Sequence, residues 1–465
     1  MELLSRVEMM KNEIVNRTRD LVEIRSIKSD ALEDAPFGAE IRRSLEYTLN
    51  LCESLGFRTK NAAGYAGHAE YGQGEELVGI LVHLDVVPEG TGWTYDPFKL
   101  TLENGRLYGR GVNDDKGAVI ASIYALKAVM DSEIPMNKRF RIIFGCDEES
   151  GWECMEHYFA AEEMPDYGFS PDGPFPIVNR EKGILRIKLE RIFEAVSEET
   201  PRIISLNGGQ RVNMVPESCS CTIQNVVAEI GDNKKLSVSK GIQDLSYDIK
   251  SNNDRLEITT KGKAAHGSEP ELGVNAISSM MKILNEIPSI ESQQAEFIGF
   301  IDSVIGFETE GCSLGIDFED VESGKLSLNL GIAKISDKRA SITLDIRYPV
   351  TLDSKIITET IEERVKKGNI KSTVLEDKKP LYVRPDNPLI GKLKVAFEDV
   401  TGIDAQLIAL KGGTYARAIN NGVAFGPIMP GKEDTAHQKN EYLELEDLIN
   451  SAKIYARAIV ELNKN

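Results

Sequence analysis

Long apolar runs are missing from this sequence of 465 residues. No stretch approaches the roughly 18 consecutive apolar residues that a membrane-spanning helix requires, so a membrane is not expected as a partner. Charged residues such as Glu2, Arg6 and Glu8 interrupt the N-terminal segment, and this argues against a secretory signal peptide. The sequence therefore predicts a cytoplasmic protein.

Basic clusters are missing as well. The formal net charge is -19, and no run rich in lysine or arginine occurs. Because an acidic surface repels nucleic acids and anionic lipids, neither is expected as a partner.

Cysteine is sparse, and a chain of this size can build its core without disulfides. We expect buried, reduced thiols, with a metal or redox pair at Cys219 and Cys221 as the alternative, since alternate residues of a strand face the same side. The six cysteines are Cys52, Cys146, Cys154, Cys219, Cys221 and Cys312.

Apolar patterning indicates an α/β domain in the first part of the chain. Helical spacing marks residues 1–57, and a continuous apolar run over 76–88 predicts a strand buried on both faces. An apolar helix over 118–130 and a second buried strand over 139–150 follow. Alternating strands and helices of this kind predict a parallel sheet with right-handed crossovers.

The pattern changes to alternating strands with one helix, over 275–287, and returns to the α/β pattern after Pro380. We predict one domain formed by residues 1–183 and 381–465 and interrupted by an α+β domain over 184–380. The predicted strands of the middle block are 183–195, 219–230, 254–266, 325–338 and 339–350. The last block predicts helices over 387–402 and 444–463 and a strand over 422–431.

Histidine is scarce, with five in the chain, so the setting of each one is informative. His83 and Asp85 lie two residues apart at the end of the first buried strand, so their side chains point to one face. One can bind a metal while the other fixes the histidine tautomer. The alternative is a core histidine with its hydrogen bonds satisfied.

Acidic residues follow the other apparent strand ends. Asp114 can be a bridging metal ligand or a helix cap, and Glu148 and Glu149 can be a base and a ligand or part of a solvated loop. Asp172 lies in SPDGPFP, where a turn-forming aspartate is the alternative. His437 follows the last strand, where a surface histidine is the alternative.

Taken together and in order, these segments resemble a known family. The phrases LDVVPEGTGW, YGRGVNDDKG, KGGTYARAI and AHQKNEYL, with DEE and SPDG between them, are similar to those of M20 metallopeptidases and among these of PepV-like dipeptidases. The resemblance implies a two-domain α/β protein with a di-metal phosphorylase/hydrolase-like catalytic domain and an inserted α+β lid domain. Two segments, GVNDDKGAV and HGSEP, differ slightly from the sequences usual in dipeptidases. This difference leaves the substrate preference open.

By this resemblance, five residues bind two divalent metals, Glu148 is the general base and Asp85 stands behind His83. Asp114 bridges, and the Asp114–Asp115 peptide is expected to be cis. The metals are Zn²⁺, with Mn²⁺ or Co²⁺ as alternatives. The implied metal ligands are His83, Asp114, Glu149, Asp172 and His437.

The resemblance also assigns substrate contacts. His266 is implied to stabilise the oxyanion, while Asn213 and Arg347 are implied to hold the C-terminal carboxylate of a small peptide. Gly413 and Thr414 are implied to line the substrate pocket. No motif includes His68 or His157, which we interpret as structural.

Within the family that this chain resembles, an aspartate at the position of Asp172 is typical of dipeptidases and desuccinylases, and it favours short substrates. The sequence therefore predicts a metal-dependent dipeptidase acting on dipeptides with a free N-terminus, as a monomer. Two alternatives stay open: an N-acyl amino acid deacylase or desuccinylase of the same family, and a non-catalytic metal-dependent binding protein. Glu148 argues against the second, because a binding protein needs no base beside its metals.

Overall fold

A computed structural model describes residues 2–195, 199–226, 246–252, 254–287 and 290–464. Within the strand predicted over 219–230, the observed strand ends at Gln224, and residues 227–230 lie outside the described residues.

The helices follow the apolar spacing of the sequence. In the helix Ser354–Lys366 the buried residues recur at three- and four-residue intervals, as a helix that packs on one face requires; they are Ser354, Ile357, Ile361 and Val365. Within the described residues, the helices are Leu3–Met9 (α1), Lys11–Val22 (α2), Ala39–Ser54 (α3), Lys116–Asp131 (α4), Glu153–Ala161 (α5), Ala276–Asn285 (α6), Ser292–Val304 (α7), Ser354–Lys366 (α8), Pro388–Thr401 (α9) and Leu445–Asn463 (α10). No helix among them is both long enough and apolar enough to cross a bilayer.

The strands alternate with these helices in the first and last parts of the chain and dominate the middle. They are Arg58–Ala62 (β1), Ala66–Gly72 (β2), Leu77–His83 (β3), Thr101–Glu103 (β4), Arg106–Tyr108 (β5), Arg139–Gly145 (β6), Tyr167–Ser170 (β7), Gly173–Pro174 (β8), Ile177–Glu181 (β9), Gly183–Ile192 (β10), Arg202–Gly208 (β11), Ser218–Gln224 (β12), Ser246–Asn252 (β13), Arg255–Lys261 (β14), Glu319–Asp320 (β15), Gly324–Lys325 (β16), Ser327–Ile335 (β17), Arg339–Tyr348 (β18), Lys371–Lys378 (β19), Leu381–Tyr382 (β20), Leu407–Leu410 (β21), Gly422–Ala424 (β22), Pro427–Ile428 (β23) and Tyr442–Glu444 (β24).

Contacts within the chain divide it into two units, and the first is the interrupted one. It comprises Met1–Arg180, Leu381–Ala409 and Gly413–Asn465. Its large sheet has the order β1-β2-β6-β3-β7-β22-β9-β20, with β21 also paired to β9, and β6, β3, β7 and β22 are mutually parallel. All seven residues of β3 are buried, as the continuous apolar run predicts for a strand covered on both faces.

The parallel register of β3, β6 and β7 determines where the candidate site residues lie. His83 at the end of β3 is level with Gly145 at the end of β6, and β7 runs beside β3 in the same direction. The acidic residues that follow β6 and β7 therefore come out at the same sheet edge as His83. Both predicted strands were too long: β3 ends at His83, where the chain continues without regular structure, and β6 ends at Gly145, where the acidic segment forms a turn.

The second unit comprises Glu181–Pro380 and Leu410–Gly412. Its antiparallel sheet has the order β13-β14-β12-β11-β17-β18-β10-β19, and alternate residues of β14 are buried, as expected for a sheet with one covered face. The helices α6, α7 and α8 share its hydrophobic core. The predicted fold class, α/β with an inserted α+β domain, is confirmed.

Two details of the predicted elements are wrong. The middle block holds three described α-helices rather than one; α7 and α8 begin at the acidic caps Glu291 and Asp353, whose carboxylates accept backbone N–H groups. The strand predicted over 422–431 is divided between β22 and β23, which belong to different sheets.

The cysteines are all free, and five are buried as predicted, but Cys312 is exposed. It lies in the Gly-rich loop after α7, outside the core strands, so its neighbours leave it uncovered. The Cys219 and Cys221 thiols are buried in the second unit, where burial raises the pKa of Cys219 to about 12. A protonated thiol of this kind is an unreactive core residue.

Candidate metal centre and catalytic site

Two groups of three side chains meet at the edge of the first unit's sheet, and Asp114 belongs to both. In each group the potential ligand atoms lie within 4.8 Å of one another. The first group is His83, Asp114 and Asp172, and the second is Asp114, Glu149 and His437. These are the five residues that the sequence predicts as metal ligands.

Asp114 connects the two groups with its two carboxylate oxygens. His83 Nε2 lies 2.8 Å from Asp114 Oδ1, and His437 Nε2 lies 3.1 Å from Asp114 Oδ2. His437 Nε2 also lies 2.9 Å from Glu149 Oε2. The peptide bond between Asp114 and Asp115 is cis, as the family resemblance implies. One carboxylate thus faces both sets of donors, the arrangement that a bridging ligand requires.

The electrostatics of the cluster show strong repulsion among its acids. Burial and the neighbouring Asp114 charge raise the pKa of Glu149 to about 7, and burial and the charges of Glu148 and Asp114 raise the pKa of Asp172 well above its usual range. Hydrogen bonds to Asp114 and Glu149 raise the pKa of His437 to about 11. A bound cation relieves such repulsion as a proton does.

Imidazole nitrogens and carboxylate oxygens are the donors that Zn²⁺ and related divalent ions accept. Each group provides one histidine and two carboxylates, with one carboxylate shared. The donor types and the excess negative charge therefore fit two neighbouring divalent cations.

Asp85 divides its groups between His83 and the acidic turn after β6. Its backbone carbonyl lies 3.0 Å from His83 Nδ1, while its carboxylate Oδ1 lies 3.7 Å away. The two carboxylate oxygens instead accept the backbone N–H groups of Glu148 and Glu149, each at 3.0 Å. Asp85 thus fixes the histidine through its main chain and holds the Glu148–Glu149 turn through its side chain.

Glu148 lies next to the second group without belonging to either. Burial and the nearby Glu149 and Asp114 charges raise its pKa to about 8, although the His83 ring acts in the opposite direction. The indole Nε1–H of Trp152 donates to Glu148 Oε1 at 3.1 Å. A carboxylate beside the ligands, held by its own donor, has the placement of a general base.

Arg110 and Glu441 form a buried ion pair that sequence reasoning did not assign. Arg110 Nη1 lies 2.6 Å from Glu441 Oε2, and both side chains are at most 2% exposed. Glu441 also accepts the backbone N–H groups of Gly111, Asn113 and Asp114. It therefore holds the loop that carries the shared ligand; the only signal was its place in the AHQKNEYL phrase.

An Arg110→Met variant is expected to lower the free energy of unfolding by about 3–5 kcal/mol, because it leaves Glu441 buried without its cation. Urea denaturation of the metal-loaded protein measures the change. Arg106→Met is the matched control, since Arg106 is 43% exposed and lies 3.9 Å from Glu444, and it should change the stability far less, because water and salt screen an exposed pair. Equal stabilities of the two variants would contradict the role given to the buried pair.

Tyr415 also went unassigned, although it lies in the GGTYAR phrase. Its backbone N–H donates to Asp172 Oδ2 at 3.0 Å, and its ring packs edge-on against His83 with centroids 6.1 Å apart. Gly145 allows this close approach, because a Cβ at that position would lie 1.9 Å from the tyrosine hydroxyl. Thr414, predicted to contact substrate, directly precedes Tyr415, and its hydroxyl accepts the N–H of Ala416. Gly413 lies beside Arg417.

The three remaining predicted site residues are Asn213, His266 and Arg347, which are neighbours in the second unit. The backbone of Gly267 donates to Asn213 at 2.7 Å, next to His266. Arg347 donates through Nε and Nη2 to Asp345 Oδ2, at 3.1 and 2.9 Å. Burial and the Arg347 charge lower the pKa of His266, so the imidazole is neutral at pH 7. His68 and His157, interpreted as structural, bond to Tyr158 and stack on Tyr65 respectively.

Comparison with known proteins identifies similar chains over nearly the full length. The model of the peptidase family M20/M25/M40 matches residues 79–461. The Bacillus subtilis (strain 168) protein named "Putative dipeptidase YtjP" is 39% identical over 464 residues, covering 98% of each chain. The Staphylococcus aureus (strain bovine RF122 / ET3-1) protein named "Putative dipeptidase SAB1611c" is 32% identical, again covering 98% of each.

Solved structures show the same fold at low sequence identity. Human carnosine dipeptidase 1 has a TM-score of 0.58 and 17% identity, covering 99% of this chain and 98% of that one. The di-peptidase Dug1p from Saccharomyces cerevisiae also has a TM-score of 0.58, with 14% identity, covering 100% of this chain and 98% of that one.

Proposed function

This chain belongs to the peptidase family M20/M25/M40, and from that premise we propose that it hydrolyses dipeptides with a free N-terminus, using two divalent metals. The observation that carries the proposal is the pair of three-residue groups that share Asp114, with Glu148 beside them. The dipeptidase names of relatives that align over nearly their whole length support the substrate class.

Zn²⁺ is the proposed ion at both positions. His83, Asp114 and Asp172 would hold one ion, and Asp114, Glu149 and His437 the other. When bound, such metals polarise the scissile carbonyl and lower the pKa of the attacking water. Asp85, Glu441 and Tyr415 keep the ligands in place through the hydrogen bonds described above.

Glu148 moves the proton. Its carboxylate accepts a proton from the attacking water and then delivers it to the leaving amine nitrogen, so that cleavage releases a neutral amine. Its burial favours this cycle, because desolvation of the charged carboxylate increases its affinity for the proton. The neighbouring Glu149 is occupied by His437, which leaves Glu148 for the proton.

Residues of the second unit recognise the rest of the substrate. Arg347 binds the C-terminal carboxylate with its planar guanidinium, which Asp345 orients, and Asn213 assists it. His266 Nδ1 lies 2.6 Å from the Ser268 hydroxyl oxygen and 3.3 Å from the Ser268 backbone nitrogen, whose N–H it accepts, and we assign the ring proton to Nε2 on these two contacts. Nε2–H is then a donor for the negative charge that develops on the carbonyl oxygen.

A matched substrate series tests this function. The metal-loaded protein is given a free dipeptide, its N-acetyl and C-terminal amide forms, a tripeptide, and N-acetyl and N-succinyl amino acids, and products are measured by mass spectrometry. Cleavage confined to the free dipeptide is expected. Cleavage confined to acylated amino acids would move the protein to the deacylases, and no cleavage at all would favour the binding-protein alternative.

Two further properties belong to the proposal. A monomer is expected, and light scattering coupled to size exclusion measures it. The cytoplasm is the proposed location, and fractionation of cells with an antibody against the protein would test it.

A further inference from the structure

We propose that Trp152 is a positioning residue that holds the Glu148 carboxylate in the orientation needed for proton transfer. The inference rests on the proposed function, in which Glu148 is the base. Its basis is the hydrogen bond from the indole Nε1–H to Glu148 Oε1, at 3.1 Å. An indole nitrogen only donates, so it can bind the carboxylate but cannot compete for the proton.

The backbone at Trp152 supports a role beyond packing. Its φ of 63° and ψ of 15° lie in the left-handed region, which is costly for a bulky side chain. This conformation favours glycine, but the glycine of this segment is the preceding residue, Gly151, and position 152 holds a tryptophan. A tryptophan kept in this conformation indicates that the position of its indole matters.

The surrounding contacts fix Trp152 through both its backbone and its ring. The backbone N–H of Trp152 donates to the carbonyl of Asp147 at 2.8 Å, which closes the turn containing Glu148 and Glu149. Its ring packs edge-on against Tyr415, with centroids 5.3 Å apart. Tyr415 in turn contacts His83 and Asp172, so the base is held on the same aromatic support as the first group of ligands.

Two different residues hold the main chain and the carboxylate of Glu148. Asp85 fixes its main chain, as described above, and Trp152 fixes one carboxylate oxygen, Oε1. The other oxygen, Oε2, is then the one we assign to the proton. A carboxylate with both ends defined does not need to be ordered at each turnover, which lowers the activation free energy of the chemical step.

Trp152→Phe is the central test, because it keeps an aromatic ring beside Tyr415 and removes the N–H. We expect kcat for a free dipeptide to fall about 10-fold, the effect of losing one hydrogen bond to a charged group. KM and metal content should stay unchanged. The chain has a single other tryptophan, Trp93, whose indole donates to the carbonyl of Glu89, so Trp93→Phe is the matched control and should keep kcat.

A shape-preserving replacement covers the case in which Trp152→Phe disturbs folding. Site-specific insertion of 3-benzothienylalanine at position 152 exchanges the N–H for sulfur and keeps the bicyclic ring. The same fall in kcat is expected. Full activity of this variant would overturn the inference, and so would a loss of metal in parallel with activity, because Trp152 would then support the ligands rather than the base.

A spectroscopic measurement separates this inference from the proposed function. In metal-loaded Trp93→Phe protein, Trp152 provides the single indole Nε1–H resonance. Glu148→Gln should move that resonance upfield, because a neutral amide oxygen is a weaker acceptor than a carboxylate. An unmoved resonance would overturn the hydrogen bond. If the wild type cleaves no peptide, the proposed function fails, while this measurement still decides the contact.

Discussion

Glu148→Gln should lower kcat about 10²–10⁴-fold while the protein binds the same amount of metal. Glutamine has the same size and can accept the Trp152 hydrogen bond, but it cannot take a proton from water. Glu148 belongs to neither three-residue group, so the ligands stay intact. Steady-state kinetics on a free dipeptide, with metal content measured by mass spectrometry, provide both quantities.

Glu156→Gln is the control for this change, since Glu156 is an exposed residue of the following helix α5. It removes one negative charge from the same segment without reaching the site, and its kcat should equal that of the wild type. A fully active Glu148→Gln enzyme would remove Glu148 from the mechanism. A Glu148→Gln protein without metal would make Glu148 a ligand instead.

Asp114→Asn should abolish both metal binding and activity, an effect larger than that of any other single ligand. Asp114 is the one residue present in both groups, with one oxygen facing His83 and the other facing His437. An amide provides one neutral oxygen where the carboxylate provides two charged ones, so neither position keeps its full donor set. Titration calorimetry with Zn²⁺ measures the number of bound ions directly.

Single-group variants make this prediction specific. Asp172→Asn should weaken the first position and Glu149→Gln the second, so each should retain one bound ion where Asp114→Asn retains none. Asp131→Asn, at the far end of α4, should bind two. Two equivalents of metal on Asp114→Asn would show that the two positions are independent and that Asp114 does not bridge them.

The sequence predicts most of the site because its ligands stand at strand ends. His83 closes a buried strand, Glu149 follows the next one, and parallel strands bring their carboxyl ends to a common edge. This geometry is local and periodic, so it can be read from apolar runs. The long helices α4 and α10 were predictable for the same reason, since each has an extended apolar pattern.

The supporting contacts were beyond sequence reasoning because they join residues far apart in the chain. Arg110 and Glu441 are 331 positions apart in the sequence, and Tyr415 and Asp172 are 243 positions apart. No spacing rule predicts such pairs. Trp152 lies only four residues from Glu148, but its left-handed backbone conformation is rare for a bulky residue. Local sequence rules therefore did not predict its contact with Glu148.

Because the first unit is interrupted in the sequence, its sheet cannot be completed until the second unit has been synthesised. Residues up to Arg180 leave the ribosome before the second unit, but strand β22, at Gly422–Ala424, must still join β7 in the middle of the sheet. At ~5–20 residues per second, the intervening stretch of roughly 240 residues takes ~12–50 s to synthesise. During that time β7 can pair with β3, but its other edge, where β22 later pairs, has no partner strand. Nascent chains are therefore most exposed to aggregation and chaperone capture in this interval, and His437 joins the site last of all.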